Sequence, residues 1–182
     1  MADLWAAVGV QLNTNTMSTS KAWLYLSNGS SATRILRLSR VLLLNNQITA
    51  ATGVLATLEF RKYTGSPSFS GTSITPVPFN STNSALEAAV TAGSNGTPSG
   101  GSSAIMRRWI WSTDEAAVAT VDLDAFQSIP MFCNFFDSGL EDLTVQPLVL
   151  RAGEAAAVYC SAASGTLAGL IDIIFEFTNE AT

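Results

Sequence analysis

The chain has 182 residues, of which 47% are hydrophobic and only 13% are charged, with nine basic and fourteen acidic side chains. The net charge of −5 disfavours binding that depends on neutralising phosphates, so we predict no nucleic-acid partner. The absence of histidine removes the commonest general base, triad member and zinc ligand, and we predict no enzyme activity, no cofactor and no metal.

The low charge also bears on assembly. A charged fraction of 13% is about half of the ~25% usual for a globular protein, and small polar residues fill the difference. We therefore expect part of the apolar surface to be covered by other subunits rather than by water.

The first third of the chain predicts four strands, at residues 5–12, 22–26, 34–44 and 54–63. The second and third flank an Asn-Gly pair at 28 and 29, which favours a tight turn, so we expect a hairpin. In the fourth, apolar residues alternate with polar ones, as in a strand with one buried face.

The middle of the chain changes character. Residues 64–73 and 94–103 are rich in Gly, Ser and Thr, which predicts two long loops. Between them, the prolines at 76 and 78 require an extended segment. The spacing of Ser84 and Glu87 is that of a capping box and predicts a brief Ala-rich helix.

Six more strands are predicted from there, at residues 105–112, 117–123, 131–135, 144–150, 155–160 and 168–177. In the last, Ile171, Ile173, Phe175 and Phe177 share one face and Asp172 lies on the other. About ten strands, one short helix and no repeat predict an all-β, single-domain protein over residues 1–182. We expect a jelly-roll-like antiparallel β-sandwich.

Carboxylates are the remaining candidates for chemistry. Asp122 and Asp124 lie two apart on a predicted strand, and Asp137, Glu141 and Asp142 cluster in one loop. Such groups can hydrolyse glycosides or bind calcium, but the loop lacks the spacing of a calcium-binding loop. We interpret the carboxylates of the loop as solvated turn residues.

Cysteines and targeting features point to an intracellular origin. Cys133 and Cys160 lie in apolar, strand-like settings, so we expect buried, reduced thiols. The N-terminus shows no secretory signal and no apolar run approaches the ~20 residues of a membrane span. We expect synthesis in a host cytoplasm and no membrane association.

Two segments carry a resemblance to a known class of protein. The first is Leu-Val-Leu-Arg-Ala-Gly-Glu-Ala-Ala-Ala-Val at 148–158, followed by a Ser/Gly loop and the closing Ile-Asp-Ile-Ile-Phe-Glu-Phe-Thr-Asn-Glu. The second is Thr-Ser-Ile-Thr-Pro-Val-Pro-Phe-Asn-Ser-Thr-Asn at 72–83. Together they resemble the β-sandwich decoration, or cement, proteins of tailed-bacteriophage heads.

The resemblance implies a jelly roll that assembles as a homotrimer on the exterior of the virion capsid. There it would clamp neighbouring major capsid proteins against internal DNA pressure. Trp and Arg are enriched at the centres of interfaces, so we name Trp5, Arg107, Trp109 and Trp111 as candidate contact residues. The alternative that these tryptophans fill the sandwich core stays open.

Two other functions remain. A carbohydrate-binding module of a phage tail fibre or baseplate would use the same sandwich, with a shallow aromatic and polar groove near the loop tips. A secreted trimeric ligand or lectin would need an export signal, which the N-terminus does not show.

Overall fold

The computed structural model describes residues 3–11, 18–45, 54–113, 132–138, 146–164 and 171–181, which form eleven β-strands. No helix occurs in these ranges, and so none long and apolar enough to cross a membrane. The strands are β1 (Asp3–Gln11), β2 (Lys21–Asn28), β3 (Arg34–Asn45), β4 (Val54–Thr64), β5 (Ser68–Ile74), β6 (Val90–Ser99), β7 (Ser102–Thr113), β8 (Phe132–Asp137), β9 (Leu148–Leu150), β10 (Glu154–Ser164) and β11 (Ile171–Ala181).

The strands form two sheets in which every pairing is antiparallel. The five-stranded sheet has the order β1-β11-β3-β8, and β9 also pairs with β3. The six-stranded sheet has the order β5-β6-β2-β10-β4-β7. The predicted all-β antiparallel architecture of about ten strands is confirmed, while the strand predicted at 117–123 lies outside the described residues.

One hydrophobic core lies between the sheets. Phe60 of β4 meets Phe136 of β8 and Phe175 of β11, with ring centroids 5.5 and 6.5 Å apart. The predicted inward face of the last strand is confirmed for Ile173, Phe175 and Phe177, which are fully buried. Each such side chain contributes about 1.5–3 kcal/mol through burial, so this core is the main source of stability.

The predicted hairpin of residues 22–44 is wrong. β2 pairs with β6 and β10, whereas β3 pairs with β11 in the other sheet. The Asn-Gly turn therefore carries the chain from one sheet to the other. Asn28 fixes this crossing, because its buried side-chain amide donates to the carbonyl oxygens of Arg34 at 2.9 Å and Leu150 at 3.0 Å.

The two predicted long loops are also largely wrong, because β5 and β6 occupy much of them. Gly93 and Gly96 lie within β6, where the Tyr25 ring packs directly on the backbone. A Cβ at Gly96 would lie 2.7 Å from Tyr25 Cε1, and one at Gly93 would lie 2.6 Å from Tyr25 Cζ. These glycines make room for an aromatic ring and do not mark a loop.

The segment with capping-box spacing forms no helix. Instead of bonding back to Ser84, the Glu87 carboxylate accepts hydrogen bonds from the backbone amides of Thr33 at 2.7 Å and Arg34 at 3.2 Å. The chain then enters β6, where Val90 and Ala92 are buried against the core. Glu87 thus fastens the end of the 75–89 segment to the connection between β2 and β3.

β5 and β6 together form a ribbon, here called the β5–β6 ribbon, that continues the six-stranded sheet beyond β2 and brings Phe69 over its outer face. Phe69 of β5 stacks on Tyr25 of β2 with centroids 4.5 Å apart and meets Tyr63 of β4 edge-on at 5.2 Å. Because β10 lies between β2 and β4, one ring can contact both only from above the sheet. The ribbon thereby buries Ala155 and Ala157 of β10 in a second, smaller apolar cluster.

Candidate protein contact surface

The rest of the outer face of the six-stranded sheet centres on a buried carboxylate. Glu59 lies between the core residues Leu58 and Phe60 on β4, so its side chain points outward, yet it is only 2% exposed. Arg61 donates to it through Nε at 2.7 Å, and Nη2 of Arg108 on β7 lies 2.8 Å from Oε1. Two guanidinium groups therefore enclose one carboxylate.

These arginines decide the ionisation of Glu59. Burial acts to raise the pKa of Glu59, but the hydrogen bonds and charges of Arg61 and Arg108 outweigh it and hold the pKa below the ordinary 4.5. Arg61 also lies over the Tyr159 ring, with its guanidinium carbon 3.8 Å from the centroid. The cluster carries two positive charges and one negative on a chain that is acidic overall.

Three large apolar side chains surround this ion cluster. Leu55, Ile105 and Ile110 are between 48% and 60% exposed. Ile105 pairs with Arg61 and Ile110 with Thr57, while Leu55 lies four residues before Glu59, so all three share its face. We call this surface the β4–β7 patch, and it consists of Leu55, Glu59, Arg61, Ile105, Arg108, Ile110 and Tyr159.

The composition of the β4–β7 patch is typical of a protein contact surface. Single exposed apolar residues are ordinary, but three of them on one sheet face leave more apolar surface in water than usual. Arginines and an aromatic ring at the centre are the side chains that contribute most at interfaces. β7 is also the edge strand of the sheet as far as the described residues go.

The contact residues predicted from the sequence lie elsewhere. Arg107 and Trp109 pair with Phe60 and Leu58, which places them on the core side of β7. Trp109 is half-buried and packs against the core, and the exposed Arg107 lies 5.9 Å from the Phe136 ring centroid. Trp5 pairs with Phe177 in the other sheet.

Trp111 pairs with Ala56 on the same edge as Trp109. The structure describes the backbone of Trp5 and Trp111 but not their side chains. The structure therefore brings Arg107, Trp109 and Trp111 together on one strand and places Trp5 in the other sheet, and a contact role for the four stays a prediction.

Sequence reasoning missed the outward residues Arg108 and Ile110 of the same strand. The signal was present, because an isoleucine between two tryptophans breaks the apolar–polar alternation of a strand with one buried face. Read with period two, the segment has two faces that both bear apolar side chains.

The outer face of the five-stranded sheet is different in kind. Arg37 pairs with Glu180 at 2.7 Å, and Arg40 with Asp137 at 3.1 Å and with Glu176 at 3.4 Å. This is a solvated, charged surface of modest energetic weight.

The chemistry considered for the carboxylates finds little support in the described part of the chain. Asp137 is held by Arg40, and no three potential metal ligands come together among the described residues. Asp122, Asp124, Glu141 and Asp142 lie outside those residues.

Cys160 is a free and fully buried thiol, as expected. Burial raises its pKa to about 11, so it stays protonated and unreactive at neutral pH. The side chain of Cys133 lies outside the described residues.

Comparison of the chain with protein-family profiles, with curated protein sequences and with solved structures gives no match.

Proposed function

We propose that the protein is a structural virion protein, a capsid decoration protein that binds the outside of a phage head as a trimer and clamps neighbouring major capsid proteins. The observation that carries this proposal is the β4–β7 patch. It combines exposed apolar side chains with a central pair of arginines on a chain of which only 13% is charged. A second copy of the chain is the partner that would cover it.

The strand order supports the jelly-roll form of the sandwich. Leaving aside the ribbon and β9, successive strands lie in alternate sheets from β1 to β4 and again from β7 to β11. The core strand orders are β1-β11-β3-β8 and β2-β10-β4-β7. Two four-stranded sheets linked in this way are the arrangement expected of a double-sheet jelly roll.

A second exposed apolar surface suits the contact with the capsid. Val77 and Phe79 lie on the 75–89 segment, within the stretch 72–83 that resembles decoration proteins, and both are mostly exposed. Glu87 holds one end of this segment to the body of the protein. Three copies on a trimer would reach several capsid subunits, and avidity would then add affinity to contacts of modest strength.

Two measurements test the proposal. We expect light scattering to give the molar mass of a trimer, and we expect the protein to sediment with expanded, undecorated phage capsids. Ile110→Asp should convert the trimer to a monomer and abolish co-sedimentation, because a carboxylate buried against an apolar partner is strongly unfavourable. Its own fold should survive, since Ile110 is mostly exposed in the single chain.

Val77→Asp is the matched control, because it places the same charge at an equally exposed apolar position outside the β4–β7 patch. This variant should remain a trimer and lose only capsid binding. A wild-type monomer that stays in the supernatant would overturn the proposal, and the carbohydrate-binding module of a tail fibre or baseplate would replace it.

A further inference from the structure

A cleft of about 350 Å³ lies at the end of the sandwich where β2 and β4 end and β10 begins. The rings of Tyr25 and Phe69 line it, together with side chains of Ser30, Ser66, Ser68 and Thr91. The volume falls at the small end of the ~300–1,000 Å³ typical of ligand sites, enough for a single ring-sized ligand.

Backbone hydrogen bonds build the rim of the cleft from segments that are far apart in the sequence. Ser66 N donates to Gly153 O at 2.8 Å, Gly153 N to Asn28 O at 2.8 Å, and Gly29 N to Ala89 O at 3.0 Å. Gly153 adopts a φ of +76°, and a Cβ there would lie 2.9 Å from Ser66 Oγ. The rim is therefore set before any ligand arrives, which lowers the entropic cost of binding.

The chemistry of the lining is uncharged throughout. None of the residues around the cleft is Asp, Glu, Lys or Arg. Ser30, Ser66, Ser68 and Thr91 are exposed, and each hydroxyl can both donate and accept a hydrogen bond. Phe69 is half-buried and adds aromatic surface beside these hydroxyls. Such a site favours a neutral ligand with many hydroxyl groups and an apolar ring face.

We propose that this cleft binds a neutral sugar residue at the end of a glycan chain. The C–H groups of a pyranose would pack on the aromatic surface while its hydroxyls exchange hydrogen bonds with the serine and threonine side chains. A sugar acid should bind poorly, since no cationic side chain lines the cleft to pair with its carboxylate. The site is separate from the proposed trimer contact, because no residue of the β4–β7 patch lines the cleft.

The test is a titration of the ¹⁵N-labelled protein followed by NMR, with methyl glycosides of glucose, galactose, mannose and N-acetylglucosamine as probes. At least one probe should shift the amide signals of Gly29, Ser30, Ser66 and Gly153 with a Kd of about 1 mM, a weak affinity suited to one small ring. Glucuronic acid should leave these signals unchanged at the same concentration.

Thr91→Tyr should abolish the response, because a ring at this exposed strand position would fill the cleft. Thr72→Tyr is the matched control, since it places the same ring on β5 outside the cleft, and it should respond like the wild type. If none of the four glycosides shifts these amides, or if the shifts persist in Thr91→Tyr, the inference is wrong. Both variants should still form the trimer, so failure of sugar binding is distinguishable from failure of the proposed function.

Discussion

The two halves of the outer face of the six-stranded sheet carry similar side chains but have different neighbours. Around β2, β10 and the C-terminal end of β4, Tyr25 and Tyr63 are buried beneath Phe69 of the β5–β6 ribbon. Over β4 and β7, Leu55 and Ile110 have no comparable cover from the residues that the structure describes. The chain itself covers one half, and in the proposed function a second copy would cover the other.

Phe69→Ala is the most direct test of the packing in the covered half. This change removes the ring that stacks on Tyr25 and meets Tyr63, so we expect the free energy of unfolding to fall by about 3 kcal/mol in urea denaturation. Phe79→Ala is the control, because this phenylalanine is mostly exposed on the 75–89 segment, and it should cost no more than about 0.5 kcal/mol. Equal losses for the two variants would contradict a ribbon that packs on the sheet.

A smaller loss of stability is expected when a methyl group is added against the Tyr25 ring. Gly96→Ala would place a Cβ 2.7 Å from Tyr25 Cε1, and the ring would have to move away from β6. Overpacking of this kind costs about 2 kcal/mol, which a thermal or urea unfolding curve would resolve. Combining Gly96→Ala with Tyr25→Ala should give less than the sum of the two losses, and strict additivity would show that the ring and the glycine do not interact.

The contribution of Glu59, which lies between the two halves, can be tested by measuring stability as a function of pH. A carboxyl whose pKa in the folded state lies below its unfolded value stabilises the fold above the unfolded pKa, and this stabilisation is lost as the pH falls through the folded pKa. Glu59 is such a group, so Glu59→Gln should lower stability by about 1 kcal/mol at pH 6, an amount limited by the exposure of Arg108. The difference from the wild type should shrink below pH 4.5, and a difference that is constant from pH 6 to 3 would rule out an ionised Glu59.

Sequence patterns identified the strands whose inward faces are strictly alternating. Phe175 and Phe177 are examples, because burial on one face imposes period two whatever the partner strand is. The predicted partners were less successful. The Asn-Gly turn indicates a reversal of direction but not which sheet the chain enters next, and the side chain of Asn28 decides that through contacts 122 residues away.

The ribbon and the candidate surfaces could not be predicted for a related reason. Gly93 and Gly96 resemble loop residues until Tyr25 is seen to lie on them, and that contact joins two strands about 70 positions apart. The same holds for Glu87, whose spacing to Ser84 favours a helix cap while its actual partners are Thr33 and Arg34. Local sequence patterns indicate which conformations a residue can adopt, and tertiary contacts determine which of them it does adopt.

The position of β11 has a consequence for how the protein is made. This strand lies between β1 and β3 in the five-stranded sheet, with Asp3 paired to Asn179 and Val41 to Phe175. β1 therefore has no partner among the described strands, and cannot be joined to β3, until the ribosome has synthesised β11. Folding of this half of the sandwich should wait for β11 and be slow, as is usual for domains whose strand pairings span most of the chain.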